Sequence, residues 1–138
     1  MPQYDKLYIE FLYYFNVARD YFECHEVLEE LWLEEGRSPL LQGLLQVAVG
    51  LYHHGNGNVS GAIKLLTAAL EKLEPQPDDA LGIDLAGLRR ESAAYLAKLC
   101  RYEQEPFEPY DLDITVLDPE LLRLYEAMKA NPPQKEEN

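Results

Sequence analysis

The stretch LLQGLLQVAVGLYHH (residues 40–54) decides the fold. Ser38 and Pro39 precede it, a capping hydroxyl followed by a proline at the first helical position. At 100° per residue, Gln42, Gln46, Val49 and His53 fall within one narrow stripe. The other faces are Leu, Val, Ala, Tyr and Gly, so the spacing predicts a largely buried helix. Two glutamines and a histidine on such a helix need partners, because each unsatisfied buried polar group costs about 1–3 kcal/mol. Gly43 and Gly50 add a smooth strip where a second helix can approach closely, despite each costing roughly 1 kcal/mol of helix propensity.

The preceding stretch, YFECHEVLEELW (residues 21–32), reads as the partner helix. Asp20 with Glu23 three residues on is a capping-box pattern, and Gly36 ends the helix. Phe22, His25, Glu29 and Trp32 lie on one side, Glu26 and Glu30 on a neighbouring side, and Cys24, Leu28 and Leu31 continue the apolar surface. The connection to the next helix is short, which predicts an antiparallel pair. The expected result is a semi-buried polar pocket of His25, Glu26, Glu29, Trp32, Gln42, Gln46 and His53 between the second and third helices.

Three chemistries fit such a pocket. His25 and Glu29, at i and i+4, suit two ligands of a divalent metal, with His53 as a third and Glu26 or a water as a fourth. A carboxylate oriented by an imidazole, its pKa raised by burial, suits acid/base hydrolysis. A network that fixes helix register, or a ligand pocket without chemistry, needs no reaction at all. The pattern HExxE lacks the second histidine of HExxH, which removes support from a metalloprotease reading.

Further punctuation divides the rest of the chain. Residues 4–18 read as the first helix. The turn GNGN stops the third, with Gly57 as the turn residue and Asn58 as the cap of a fourth helix, residues 59–73. Asp84 caps a fifth, and residues 103–117, with two prolines and alternating apolar residues, predict an extended segment wrapping the bundle. Asp118 and Pro119 start a short last helix. The fold class is all-α: a single compact bundle of five to six helices with an extended C-terminal segment. The domain spans residues 1–130, and residues 131–138 form a flexible tail.

The chain has 138 residues, enough for one domain with a core, and a net charge of −13 from 25 acidic and 12 basic residues. That balance argues against binding duplex nucleic acid or an anionic membrane surface. It leaves a protein partner or a homo-oligomer open. No apolar run approaches the roughly 18 residues of a membrane span. The first residues lack the pattern of a signal peptide. Cys24 and Cys100 have no paired spacing and suit a reducing compartment, the cytoplasm or a plastid stroma.

Several other residues have simpler readings. Cys24 and His25 point about 100° apart, so Cys24 is expected as a buried thiol. His54 is expected at an exposed helix end, favoured there by the dipole. Trp32 is expected to pack in the core, and Glu34 and Glu35 to face solvent. Tyr13 and Tyr14 suit either the core or a dimer surface.

FECHEVLEELW (residues 22–32) and LLQGLLQVAVGLYHHGNGNVSGAIKLL (residues 40–66) resemble the domain-of-unknown-function 309 family. A His-Glu-x-x-Glu-x-x-Trp helix is followed by a Gln-rich helix ending in His and a Gly-Asn turn. Phe22, Glu23, His25, Glu26, Glu29, Trp32, Gln42, Gln46, Ala48, His53, Gly57, Asn58 and Ala62 carry the match. The resemblance covers about residues 4–101 and implies a compact helical bundle, a bacterial, archaeal or plastid protein, and no established activity. Cys24 stands where a small or apolar residue is usual, and HGNGN replaces a more basic turn, which argues against an anion site there. Residues 50–75 also look like one tetratricopeptide hairpin, through Gly50, Ala62, Leu66, Ala69 and Pro75. A solenoid needs at least about three repeats, and no second copy is present. The hairpin places Ala62 and Ala69 at a close helix crossing.

The leading functional expectation is a helical binding or interaction module using the polar pocket. The alternatives are a metal-dependent or acid/base hydrolase at the same pocket, and a tetratricopeptide-like partner-binding scaffold.

Overall fold

The structure, a computed structural model, describes residues 4–134; the end of the tail expected from residue 131 lies outside the described residues. Six α-helices follow in order: α1 (Lys6–Tyr13), α2 (Tyr21–Glu34), α3 (Pro39–Gly55), α4 (Val59–Leu73), α5 (Leu85–Cys100) and α6 (Pro119–Ala130). Among the described residues there is no strand beyond an isolated antiparallel bridge between Ile83 and Val116. The architecture is the all-α bundle that the helical spacing implies. None of the helices is long and apolar enough to cross a membrane.

The start signals act as side-chain caps. Asp20, Ser38, Asn58, Asp84 and Asp118 each accept a hydrogen bond from the backbone N–H three residues on. Each such cap is worth about 1 kcal/mol. The stops of α2 and α3 are glycines with positive φ. Gly36 (φ 71°) lets the Arg37 N–H reach back to the Trp32 carbonyl at 2.8 Å. Gly57 (φ 78°) closes α3 in the same way: Asn58 N–H donates to His53 O at 2.8 Å and Gly57 N–H to His54 O at 2.9 Å. Both are six-residue C-caps that satisfy carbonyls the helix leaves open.

The closest helix contact is between α3 and α4. A Cβ built on Gly50 would lie 2.9 Å from Leu66 Cγ, and one on Gly43 2.7 Å from Leu73 Cδ2. Ala62, Leu66, Ala69 and Leu73 of α4 are fully buried against this strip. The remaining core draws on every helix, from Phe11 and Phe15 through Leu28, Leu44 and Tyr95 to Leu121. The helices therefore close around one core, unlike the open groove of a tetratricopeptide array.

The first helix differs from the single run expected over residues 4–18. After Tyr13 the chain widens into a π-helical turn, Tyr14–Ala18, and ends at Arg19 in the left-handed region (φ 55°). The wider turn keeps Tyr14 and Phe15 buried while aiming Asn16 and Arg19 at the C-terminal segment. Asn16 exchanges two hydrogen bonds with the Ile114 backbone, both 2.8 Å, in the manner of a neighbouring strand. Arg19 donates to the Leu112 carbonyl and to Asp113, each at 2.5 Å. Leu112 and Ile114 are buried while Asp111, Asp113 and Thr115 are exposed, so the segment alternates as a strand does. It is the strap across the bundle that its prolines and alternation implied.

Two glycine substitutions in α3 should change stability in opposite directions. Gly55→Ala, with nothing within 4 Å of its Cβ, should stabilise by up to about 1 kcal/mol. Gly50→Ala gains the same propensity but must displace Leu66, a strain of about 1–3 kcal/mol, and should lower stability on balance. Urea unfolding of both variants checks the signs.

Candidate functional site

The pairing of α2 and α3 follows from their ends. Phe22, at the start of α2, meets Tyr52, near the end of α3, with ring centroids 6.1 Å apart, so the helices run antiparallel. His25 stands one turn along α2. Its Nε2 lies 3.1 Å from Glu29 and its Nδ1 3.3 Å from Glu26. Carboxylates only accept, so the Glu26 contact is a hydrogen bond when the imidazole donates from Nδ1, and the Glu29 contact is an ion-pair distance along the helix. The His25 side chain is 34% exposed and those of Glu26 and Glu29 are each 52% exposed. This is a surface arrangement, and such pairs contribute about 0–1 kcal/mol to a fold.

The α3 side of the expected pocket is arranged differently. Gln42 and Gln46 are half-buried, but Gln46 Oε1 is buried without a hydrogen-bond partner. Trp32 packs against the core with the Arg37 guanidinium 5.2 Å over its ring, and its Nε1 is likewise buried and unpartnered. His53 Nδ1 faces Asn58 Nδ2 at 3.4 Å. The structure therefore joins His25 to Glu26 and Glu29, and leaves His53 with the α3–α4 turn. Among the described residues no three His, Cys, Asp or Glu side chains gather as a metal-holding group. The two histidines are linked through a chain of ring contacts. His25 touches Phe22 (6.5 Å), Phe22 touches Tyr52, and Tyr52 touches His53 (6.2 Å).

This aromatic ridge is exposed, Phe22 by 51% and Tyr52 by 40%. It also forms one wall of a cleft of about 450 Å³. Tyr21, Tyr95 and Tyr110 add further rings to the lining, and Asp20 and Asp111 add carboxylates. Tyr21 OH donates to Asp111 at 2.5 Å, and the strap supplies Pro109, Tyr110 and Asp111. Sequence reasoning placed Phe22 beside His25 but missed Tyr52 and the cleft. The one available signal was that Tyr52 and Phe22 fall level when two helices pair antiparallel around a short loop.

His54 corrects one expectation. It is buried, 3% exposed, not solvated at a helix end. Its Nδ1 meets the Tyr95 hydroxyl at 2.5 Å, and its ring packs 4.8 Å from Phe107 and 5.9 Å from Tyr102. The reason is register. His54 continues the stripe of Gly43, Val47 and Gly50, which faces the core, while His53 continues the outer stripe. The strap then closes over it through Phe107. Burial pushes the His54 pKa below its usual value, opposed by a hydrogen bond to the Phe107 backbone and by Glu108. Burial also raises the Tyr95 hydroxyl to about 12, which keeps it a donor to neutral His54. Cys24 is fully buried, as expected, with its Sγ 3.8 Å from the Phe11 carbonyl.

Residues 8–65 match the family model described as "Domain of unknown function (DUF309)". They carry α2, α3, most of α1 and the first half of α4, and so the whole of the ridge. "Uncharacterized protein YpuF" of Bacillus subtilis (strain 168) is 43% identical over 86 residues, 59% of this chain and 49% of that protein. An "Uncharacterized protein" of Aquifex aeolicus (strain VF5) is 30% identical over 83 residues, 58% of this chain and 24% of that protein. The chain thus spans about half of the first relative's length and about a quarter of the second's.

His54 should make the fold acid-sensitive. Above the usual imidazole pKa of about 6.5, His54 is neutral both folded and unfolded, and its contribution is complete. As pH falls through that value, the unfolded chain takes up a proton that the folded chain resists, so stability drops. Urea unfolding at pH 7.5 and 5.5 should show a smaller loss in His54→Phe than in wild type. Equal losses would remove His54 as the cause.

Proposed function

We propose that this chain is a binding module whose contact surface is the outer face of the α2–α3 pair. The observation that carries the reading is the exposed ridge of Phe22 and Tyr52, flanked at its ends by His25 and His53. Exposed large rings beside polar groups that can donate and accept are the composition of contact surfaces, not of a solvated helix face. The unpartnered Trp32 and Gln46 atoms support the same reading, since unused buried polarity in this helix pair adds nothing to stability. Hydrolysis has less support: the His25–Glu29 pair is open to solvent and lies outside the lining of the cleft. The charge of −13 and the two free thiols fit a reducing aqueous compartment.

Protein-observed NMR with a small fragment library tests the surface while the natural ligand is still unidentified. Amide shifts should concentrate on residues flanking Phe22, His25, Tyr52 and His53, and should be lost in Phe22→Ser/Tyr52→Ser at unchanged melting temperature. Shifts concentrated instead on the cleft of about 440 Å³ at the other end of the bundle, around Tyr4, Leu31 and Leu81, would overturn the assignment.

A further inference from the structure

We infer that the cleft between the Phe22–Tyr52 ridge and the strap binds an organic cation, a quaternary ammonium or alkylated ammonium head. The inference rests on the reading of the α2–α3 face as the contact surface and names the ligand chemistry for it. At about 450 Å³ the cleft falls in the size range of small-ligand sites. Its lining combines the exposed rings of Phe22, Tyr52 and Tyr110 and the half-buried ring of Tyr21, over the buried Tyr95, with two carboxylates, Asp20 and Asp111. Ring faces carry negative electrostatic potential and attract cations within about 6 Å of the centroid. The fold already uses one such ring this way, with Lys98 Nζ 4.6 Å from the Tyr110 centroid. Among the described residues no such cation sits over Phe22 or Tyr52, and both rings are exposed.

The sign of the charge follows from the neighbours. Arg19 also lines the cleft, but its guanidinium donates to Leu112 and Asp113 and lies 3.8 Å from Asp111. It offers an incoming anion little, and since Asp111 is partly answered by it, Arg19, Asp20 and Asp111 together leave the lining one charge negative. The C-terminal turn of α3, at Gly55 and Asn56, reaches the same rim, but its last carbonyls already accept from Asn56, Gly57 and Asn58, so it adds shape more than charge. At the opposite rim the start of α2 is already capped by Asp20. An organic cation with an apolar body matches all of these features, whereas a small hydrated ion would gain nothing from the rings.

The test is an NMR titration of the full chain with choline, with 3,3-dimethylbutanol as its uncharged isostere, and with sodium chloride as the salt control. A blocked pentapeptide containing one trimethyllysine is the fourth arm. Choline should give saturable shifts around Phe22, Tyr52 and Tyr110, and the isostere should bind about tenfold more weakly. Tyr52→Leu should lose that preference and Tyr52→Phe should keep it. Binding of the peptide about tenfold tighter than choline would support a polypeptide side chain as the source, and equal or weaker binding a free small molecule. Equal binding of choline and its isostere would overturn the cation while leaving the contact surface standing. No saturable change at the cleft with any cation would overturn the inference, and the fragment map would decide the surface separately.

Discussion

The contact on which the rest of this structure depends is the absence of side chains at Gly43 and Gly50, where α4 lies directly on α3. Seating Leu66 and Leu73 against the α3 backbone fixes which side of α3 faces the core. It sends Val47 and His54 inward with the glycines and leaves Gln42, Gln46, Val49 and His53 on the other side. A helix this apolar has one partly polar stripe to spare, and the Phe22–Tyr52 contact sets α2 beside it. The outer face of the α2–α3 pair is therefore a by-product of the α3–α4 crossing.

The same commitment explains the division between the two adjacent histidines. His54 becomes a core residue that ties α3 to Tyr95 of α5 and to Phe107 of the strap. His53 stays at the surface, beside Tyr52 and the Asn58 cap. The strap is held at two places by residues of the π-helical turn and its end, Asn16 and Arg19. A regular α-helical turn would rotate both side chains away from it, since each residue adds 100° in that geometry. The left-handed Arg19 costs about 1–2 kcal/mol as a non-glycine residue, and its bonds to Leu112 and Asp113 offset that strain. The irregular end of the first helix is thus the device that places Pro109, Tyr110 and Asp111 beside the ridge.

Local signals proved the most legible. Asp20, Ser38, Asn58, Asp84 and Asp118 could be read as caps because capping is a contact between residues three apart. The glycine strip and the alternating strap were also readable, since each is a periodic pattern. The π-helical turn was not, because YFNVA carries no residue that distinguishes a five-residue hydrogen bond from a four-residue one. The cleft was not readable either, since it needs residues 18–22, 51–56 and 109–111 in one place. Helix wheels put His25, Glu29 and the glutamines on facing sides, but a wheel has no depth. It could not show that His25 turns along its own helix toward Glu26 and Glu29, or that Gln46 Oε1 remains unpartnered.

The central claim is that this polar and aromatic face is a surface for contact, which the fold does not need for its own stability. The most direct test is the unfolding free energy of His25→Leu/Glu29→Leu, measured by urea denaturation beside wild type. A half-exposed pair on a helix surface predicts a change within about 1 kcal/mol. A loss of about 3 kcal/mol or more, the scale of a broken buried network, would contradict the account and make the face a structural lock between α2 and α3.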